Sequence, residues 1–194
     1  MAITPLQRSS TRALGARGFL SGFGKALGKV VEGSAAQRRT QHWQRVVPHA
    51  NATIYRAVAD VGAYSTFLPW CLSSRVLDST IDGNGAGELK TEISVGFTRL
   101  QSHFTSTVTL DPLRRIDAKS EANEFIEYLN FSWAFSPIGE RACRLDLTLD
   151  FALRNAEHTL LWEIGQDKVI TEYVRCFSAR CVSLESATEA SDRR

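Results

Sequence analysis

Apolar and polar positions alternate along this chain in two different periods, and the places where the period changes divide it into elements. A β-prone run from Thr40 to Val47, carrying Trp43, Val46 and Val47, ends at Pro48 and predicts a first strand. Asn51 stands where a helix N-cap would, and Ile54, Tyr55, Val58 and Val61 follow at helical spacing. Gly62 breaks that short helix, and a second turn carries Tyr64, Phe67 and Leu68 up to Pro69 and Trp70.

From Leu72 to Leu153 the period is two. Asp82-Gly83-Asn84-Gly85 predicts a hairpin, because these residues reach positive φ cheaply, between strands at Ser74 to Thr80 and Glu88 to Phe97. Ile93, Val95 and Phe97 share one face of the second strand. A strand from Leu100 to Leu110 has Phe104, Val108 and Leu110 on one face and closes at Asp111-Pro112, before a short strand at Arg115 to Lys119. Leu129, Phe131, Trp133 and Phe135 then alternate with polar residues up to a turn at Pro137-Ile138-Gly139. Leu145, Leu147, Leu149, Phe151 and Leu153 repeat the pattern in a last strand.

Helical spacing returns near Glu157 with Leu160, Leu161, Ile164, Ile170, Tyr173, Val174, Phe177, Cys181 and Leu184. Gly165-Gln166-Asp167 interrupts this stripe and predicts a kink, and residues 186–194 read as a frayed tail. The order is strand, two short helices, a meander of about six strands and one long helix. It predicts an α+β helix-grip: a curved antiparallel sheet, dry on one face, wrapped around the terminal helix. The dry face is unusually aromatic, and large rings on a concave floor leave gaps that a ligand could fill.

Composition narrows the choice. The chain has 194 residues and is 43% apolar, enough for one core but without the continuous apolar run that a membrane span needs. Its net charge of +2 is uneven: residues 1–39 hold seven basic side chains and one acid, and the rest holds 16 basic and 20 acidic. The first segment, rich in Arg, Ser, Gly and Ala, has the composition of a mitochondrial or plastid transit peptide. The acidic body argues against a nucleic-acid surface.

Catalytic and metal chemistry find little support. Cys71, Cys143, Cys176 and Cys181 form no C-x-x-C pair, the four histidines do not cluster, and no metal or redox dithiol is expected. Gly22-Phe23-Gly24 lacks the strand that a dinucleotide-binding turn requires, and the glycines at 83–87 belong to a hairpin.

The most distinctive string is Asp60-Val61-Gly62-Ala63-Tyr64-Ser65-Thr66-Phe67-Leu68-Pro69-Trp70-Cys71. With Val95-Gly96-Phe97, Trp133-Ala134-Phe135-Ser136-Pro137 and Cys143-Arg144-Leu145-Asp146, it resembles the coenzyme Q-binding members of the START and polyketide-cyclase superfamily, over about Gln41 to Val182. That resemblance implies a START-like domain at residues 40–185 that binds ubiquinone without catalysis. It also implies a role in quinone synthesis and delivery to the respiratory chain, in peripheral contact with the matrix side of the mitochondrial inner membrane. Ubiquinone would be a bound ligand rather than a cofactor, and no catalytic residues are implied. One departure stands in the long helix: this chain has Gly165-Gln166 where the family usually presents an apolar aromatic pair.

The expected ligand-binding residues fall in two groups: Tyr64, Phe67, Leu68, Pro69 and Trp70 at the mouth, and Val95, Phe97, Phe131, Trp133, Phe135, Tyr173, Val174 and Phe177 on the wall. The Tyr64 and Tyr173 hydroxyls are candidate donors to the quinone carbonyls. Two other functions fit the same superfamily: a ribosome-associated interaction module like a bacterial toxin, and an aromatase or cyclase with ionisable groups on the inward faces.

Overall fold

The structure is a computed structural model describing residues 38–192 apart from 98, 99 and 155; side chains at 97, 100, 156–165 and 188–192 fall outside that description. Residues 1–37 of the expected targeting segment at 1–39, and the side chains of the expected helix positions Leu160, Leu161 and Ile164, therefore lie outside the described residues.

Seven strands make one antiparallel sheet in the order β1-β7-β6-β5-β4-β3-β2. They are β1 (Arg39–Val47), β2 (Cys71–Ser79), β3 (Gly87–Phe97), β4 (Leu100–Asp111), β5 (Arg115–Ser120), β6 (Ile126–Gly139) and β7 (Ala142–Leu153). Six of them follow one another as the expected meander, and β7 returns to pair with β1, Trp43 opposite Leu147. The alternation sorts their faces. Leu145, Leu147, Leu149 and Phe151 are buried. On the other face Asp146 and Thr148 bond Gln44 and His42, while Asp150 holds Arg38 and Thr40. Two bulges in β2, after Cys71 and after Val76, bend that edge strand.

The β2–β3 hairpin forms where Asp82-Gly83-Asn84-Gly85 places it. The Asp82 carboxylate accepts from the backbone N–H of Asn84 and Ala86 at 2.8 and 3.0 Å, and Gly85 takes a φ of +83°. Gly87 has a φ of +147°, and a Cβ there would strike the Thr80 carbonyl.

Helix α1 (Asn51–Ala59), a 3-10 turn (Val61–Ala63) and α2 (Tyr64–Phe67) link β1 to β2, and α3 (Ala156–Asp192) follows the sheet. One expectation about helices changes: Asn51 is the first residue of α1, behind Ala50, and does not cap it. Its amide instead donates to the Leu113 carbonyl at 2.9 Å and its oxygen accepts from the Cys143 thiol at 3.3 Å, tying α1 to the sheet. Helix α3 runs through Gly165-Gln166-Asp167 without a break and continues past Glu185 to Asp192. Asp167 accepts from the Trp43 indole at 3.0 Å, which pins this part of the helix to β1.

Among the described residues no helix is long and apolar enough to cross a membrane.

Candidate functional site

The inward faces of β6 and α3 bring most of the expected wall residues into one aromatic network. Phe131, Trp133 and Phe135 alternate along β6 and so point the same way. Trp133 is nearly parallel to Phe135 at 6.2 Å and tilted against Phe131 at 5.6 Å. Tyr173 and Phe177, four residues apart on α3, cover them: Tyr173 lies 5.8 Å from both Phe131 and Trp133, and Phe177 meets Trp133 edge-on at 5.2 Å.

The expected mouth joins the same network from the other side of the helix. Tyr64 and Phe67 both meet Phe177 edge-on, at 5.3 and 5.2 Å, and Trp70 stacks on Tyr173. Arg180 secures this corner, its guanidinium over the Phe67 ring and 3.5 Å from the Asp60 carboxylate. Leu68 is buried in the core beneath the loop, while Pro69 is exposed and Trp70 half-buried.

Three expected residues differ from the rest. Val95 lies opposite Cys71 and is partly buried, beside the network rather than in it. Val174 packs in the core and also lines a separate groove of about 460 Å³ between α3 and the end of β1, with Val47, Pro48, Ser178 and Val182. Phe97 ends β3, and its side chain lies outside the described residues.

Strand register shows what surrounds the rings. Val108, Ala118 and Phe131 sit opposite one another in one inward row, Leu110, Ile116 and Trp133 in the next, and Thr91, Ser106, Ser120 and Leu129 on the other side. Ile116, Leu110 and Val108 are buried, but Ile93, Val95, Phe104, Ala118, Leu129 and Phe131 keep solvent-reachable surface although they point inward.

The polar groups divide by burial. Burial raises the Tyr64 phenol well above its ordinary pKa, and its hydroxyl donates to the Val58 carbonyl at 2.5 Å, which commits it to α1 rather than to a ligand. Burial likewise raises the Tyr173 phenol, so it stays neutral and a donor. Burial also raises the Cys71 and Cys181 thiols, the latter to about 12, which keeps both in the unreactive thiol form.

Sequence reasoning left out Tyr55, which extends the network through an edge contact with Phe135 at 5.4 Å. It also left out Thr91, Ser102 and Ser106, buried polar residues on the concave face. Their parity with Ile93 and Phe104 would have found them.

Residues 47–178 match the family described as polyketide cyclase / dehydrase and lipid transport. The chain is 35% identical over 115 residues to the ribosome association toxin RatA of Pseudomonas aeruginosa, covering 57% of this chain and 76% of that one. It is 30% identical over 127 residues to the mitochondrial coenzyme Q-binding protein COQ10 homolog B of Xenopus laevis, covering 64% of this chain and half of that one. Among solved structures it is similar to the Zhui aromatase/cyclase of a Streptomyces species, with a TM-score of 0.65 at 18% identity over 75% of this chain and 94% of that one. That last likeness concerns the fold, a helix-grip of the START type, and the match over residues 47–178 identifies this chain as a member of the polyketide cyclase / dehydrase and lipid transport family.

Proposed function

We propose that this chain binds a prenylated quinone, ubiquinone in particular, between its sheet and α3 and carries or presents it without altering it. The observation behind this reading is the network of rings from Trp70 through Tyr173 to Phe135, next to inward apolar residues that are not fully covered. Such a lining rewards an apolar chain: one five-carbon prenyl unit gains roughly 3 to 4 kcal/mol on leaving water, before ordering costs. Ligand cavities of about 300 to 1,000 Å³ hold a ring and a few prenyl units but not a long tail. The distal tail therefore stays in the bilayer and passes beside Trp70.

Binding rather than catalysis is favoured by the inward faces. Among the described residues those of β3 to β7 carry aliphatic, aromatic and hydroxyl side chains and the buried Cys143 thiol, with no carboxylate or imidazole for acid-base work. The relatives named as coenzyme Q-binding proteins point the same way. On this reading residues 1–39 direct the chain to mitochondria, residues 40–185 form the lipid-binding domain on the matrix side of the inner membrane, and the quinone is supplied to its synthesis and to the respiratory chain.

Mass spectrometry of lipid extracted from the native protein tests the proposal. Quinone at a substantial fraction of the protein supports it; protein purified from quinone-containing cells with none bound ends it.

The similarity to RatA favours a second reading, association with ribosomes. Residues 40–194 hold 16 basic and 20 acidic side chains, which disfavours direct contact with RNA. Salt-sensitive cosedimentation with ribosomes separates the two.

A further inference from the structure

We propose that Thr91, Ser106 and Ser120 form the subsite for the quinone ring, one hydroxyl donating to a ring carbonyl while the prenyl tail lies over the aromatic rows. The inference rests on the quinone-binding reading and assigns the polar end that the aromatic network leaves open.

Register places the three hydroxyl residues in one line across the concave face. Thr91 is opposite Ser106, and Ser106 is opposite Ser120. The line lies one inward row from Val108, Ala118 and Phe131, about 7 Å along the strands. Phe131 in turn touches Tyr173, which stacks on Trp70. A path therefore runs from the hydroxyls, over the rings, to the mouth.

Thr91 and Ser106 are buried and Ser120 is partly accessible, and the hydrogen bonds of the line do not use every donor. Thr91 is 0% exposed and Ser106 6%. Thr91 Oγ1 donates to the Ser106 carbonyl at 3.3 Å, and Ser106 Oγ lies 2.9 Å from Ser120 Oγ. Two serine hydroxyls share a single bond there, so one of their two hydrogens has no acceptor among the described residues. Ser106 is buried and Ser120 is partly accessible, so when Ser106 donates to Ser120 the free hydrogen belongs to the accessible hydroxyl, which can donate to a ligand oxygen.

The chemistry of the line selects the ligand. A ubiquinone ring carries carbonyl and ether oxygens, which accept hydrogen bonds and donate none. Neutral hydroxyls supply donors without a charge that an uncharged ring would have to desolvate. Ile93 and Phe104 pair in the row on the far side of the hydroxyls, and Ala118 and Phe131 lie on the near side. A flat ring with a polar edge fits that order of apolar, polar and apolar rows.

The test uses the full chain, ubiquinone labelled with ¹³C at its carbonyls, and a polyprenyl hydrocarbon of equal tail length without a ring. In the unsubstituted protein the infrared carbonyl band of bound quinone should lie below its position in hydrocarbon solvent. In S106A/S120A that band should move back and quinone affinity fall about tenfold, the effect of one lost buried hydrogen bond. Binding of the ring-free hydrocarbon should not change, and S106T should restore the band. An unshifted band, or equal weakening of both ligands, overturns the subsite and leaves the quinone-binding reading in place. No quinone bound by the unsubstituted protein overturns that reading and the subsite together. Should the double variant fail to fold, S120A at the partly accessible position gives the same two readings.

Discussion

Trp70 and Tyr173 stack with ring centroids 5.9 Å apart and planes 18° from parallel, joining the loop after α2 to the middle of α3. Each belongs to a different layer, so the contact holds the mouth loop against the helix. Pro69 restricts the backbone before Trp70, and the Trp70 carbonyl accepts from Gly96 N–H at 2.9 Å, which fixes the ring's origin. Trp70 is only half-buried, so truncating it removes ring surface at the mouth more than core. Trp70→Ala should release bound lipid several-fold faster while leaving the far-ultraviolet circular dichroism unchanged. Lipid content and release rate of the purified variant check this, and unaltered retention would remove Trp70 from the site.

His49 fastens the other end of the grip. Its ring is 4% exposed, with Nε2 2.6 Å from Ser178 Oγ and Nδ1 3.2 Å from Glu185 Oε1, both on α3. The corner after β1 is thus tied to the helix at two points about two turns apart. His49→Ala leaves a cavity and strips Ser178 and Glu185 of a partner, a loss of about 1 to 3 kcal/mol. Urea denaturation should show it as a lower midpoint, and His49→Gln should recover part of the difference through its amide.

Leu113 holds a φ of +62°, in the turn between β4 and β5, with its side chain 45% exposed. The left-handed region costs a side-chain-bearing residue roughly 1 to 2 kcal/mol, and an exposed leucine regains little of it by packing. Leu113→Gly relieves the strain but gives the unfolded chain more freedom. A net gain of about 0.5 to 1 kcal/mol is expected, because the carbonyl that receives Asn51 remains. A thermal midpoint that falls would mean that the leucine side chain contributes more contact than its exposure implies.

The sheet was largely legible because a period of two is enforced by the backbone itself. Leu145 to Phe151 and Phe131 to Phe135 point inward as their alternation requires. Helical spacing is coarser. It placed Tyr173, Val174 and Phe177 on one stripe, yet adjacent residues differ by about 100°, and Val174 also lines the β1 groove while Tyr173 faces the rings. Asn51 misled because capping and long-range bonding draw on the same amide, and only the fold brings Leu113 within its reach. Thr91 and Ser106 were obscured by their polarity, which reads as solvent-facing unless strand parity is followed through.

The outer face of the sheet gives the domain a specific acid sensitivity. The hydrogen bond from the Arg38 guanidinium holds the Asp150 carboxyl below the ordinary carboxylate range, against partial desolvation and with help from Tyr128 and Thr40. A folded-state pKa below the unfolded value of about 3.9 means that the unfolded chain takes up the proton first. The cluster therefore contributes fully above that value, and its contribution disappears as pH falls through the lower folded one. Asp150→Asn cannot titrate, so its stability relative to the unsubstituted protein should be reduced at neutral pH and approach parity once the pH has fallen below the lowered folded-state pKa. Thermal midpoints of both proteins from pH 7 to pH 2 measure the gap. A gap that stays constant over that range would show that Asp150 acts through its shape and not its charge.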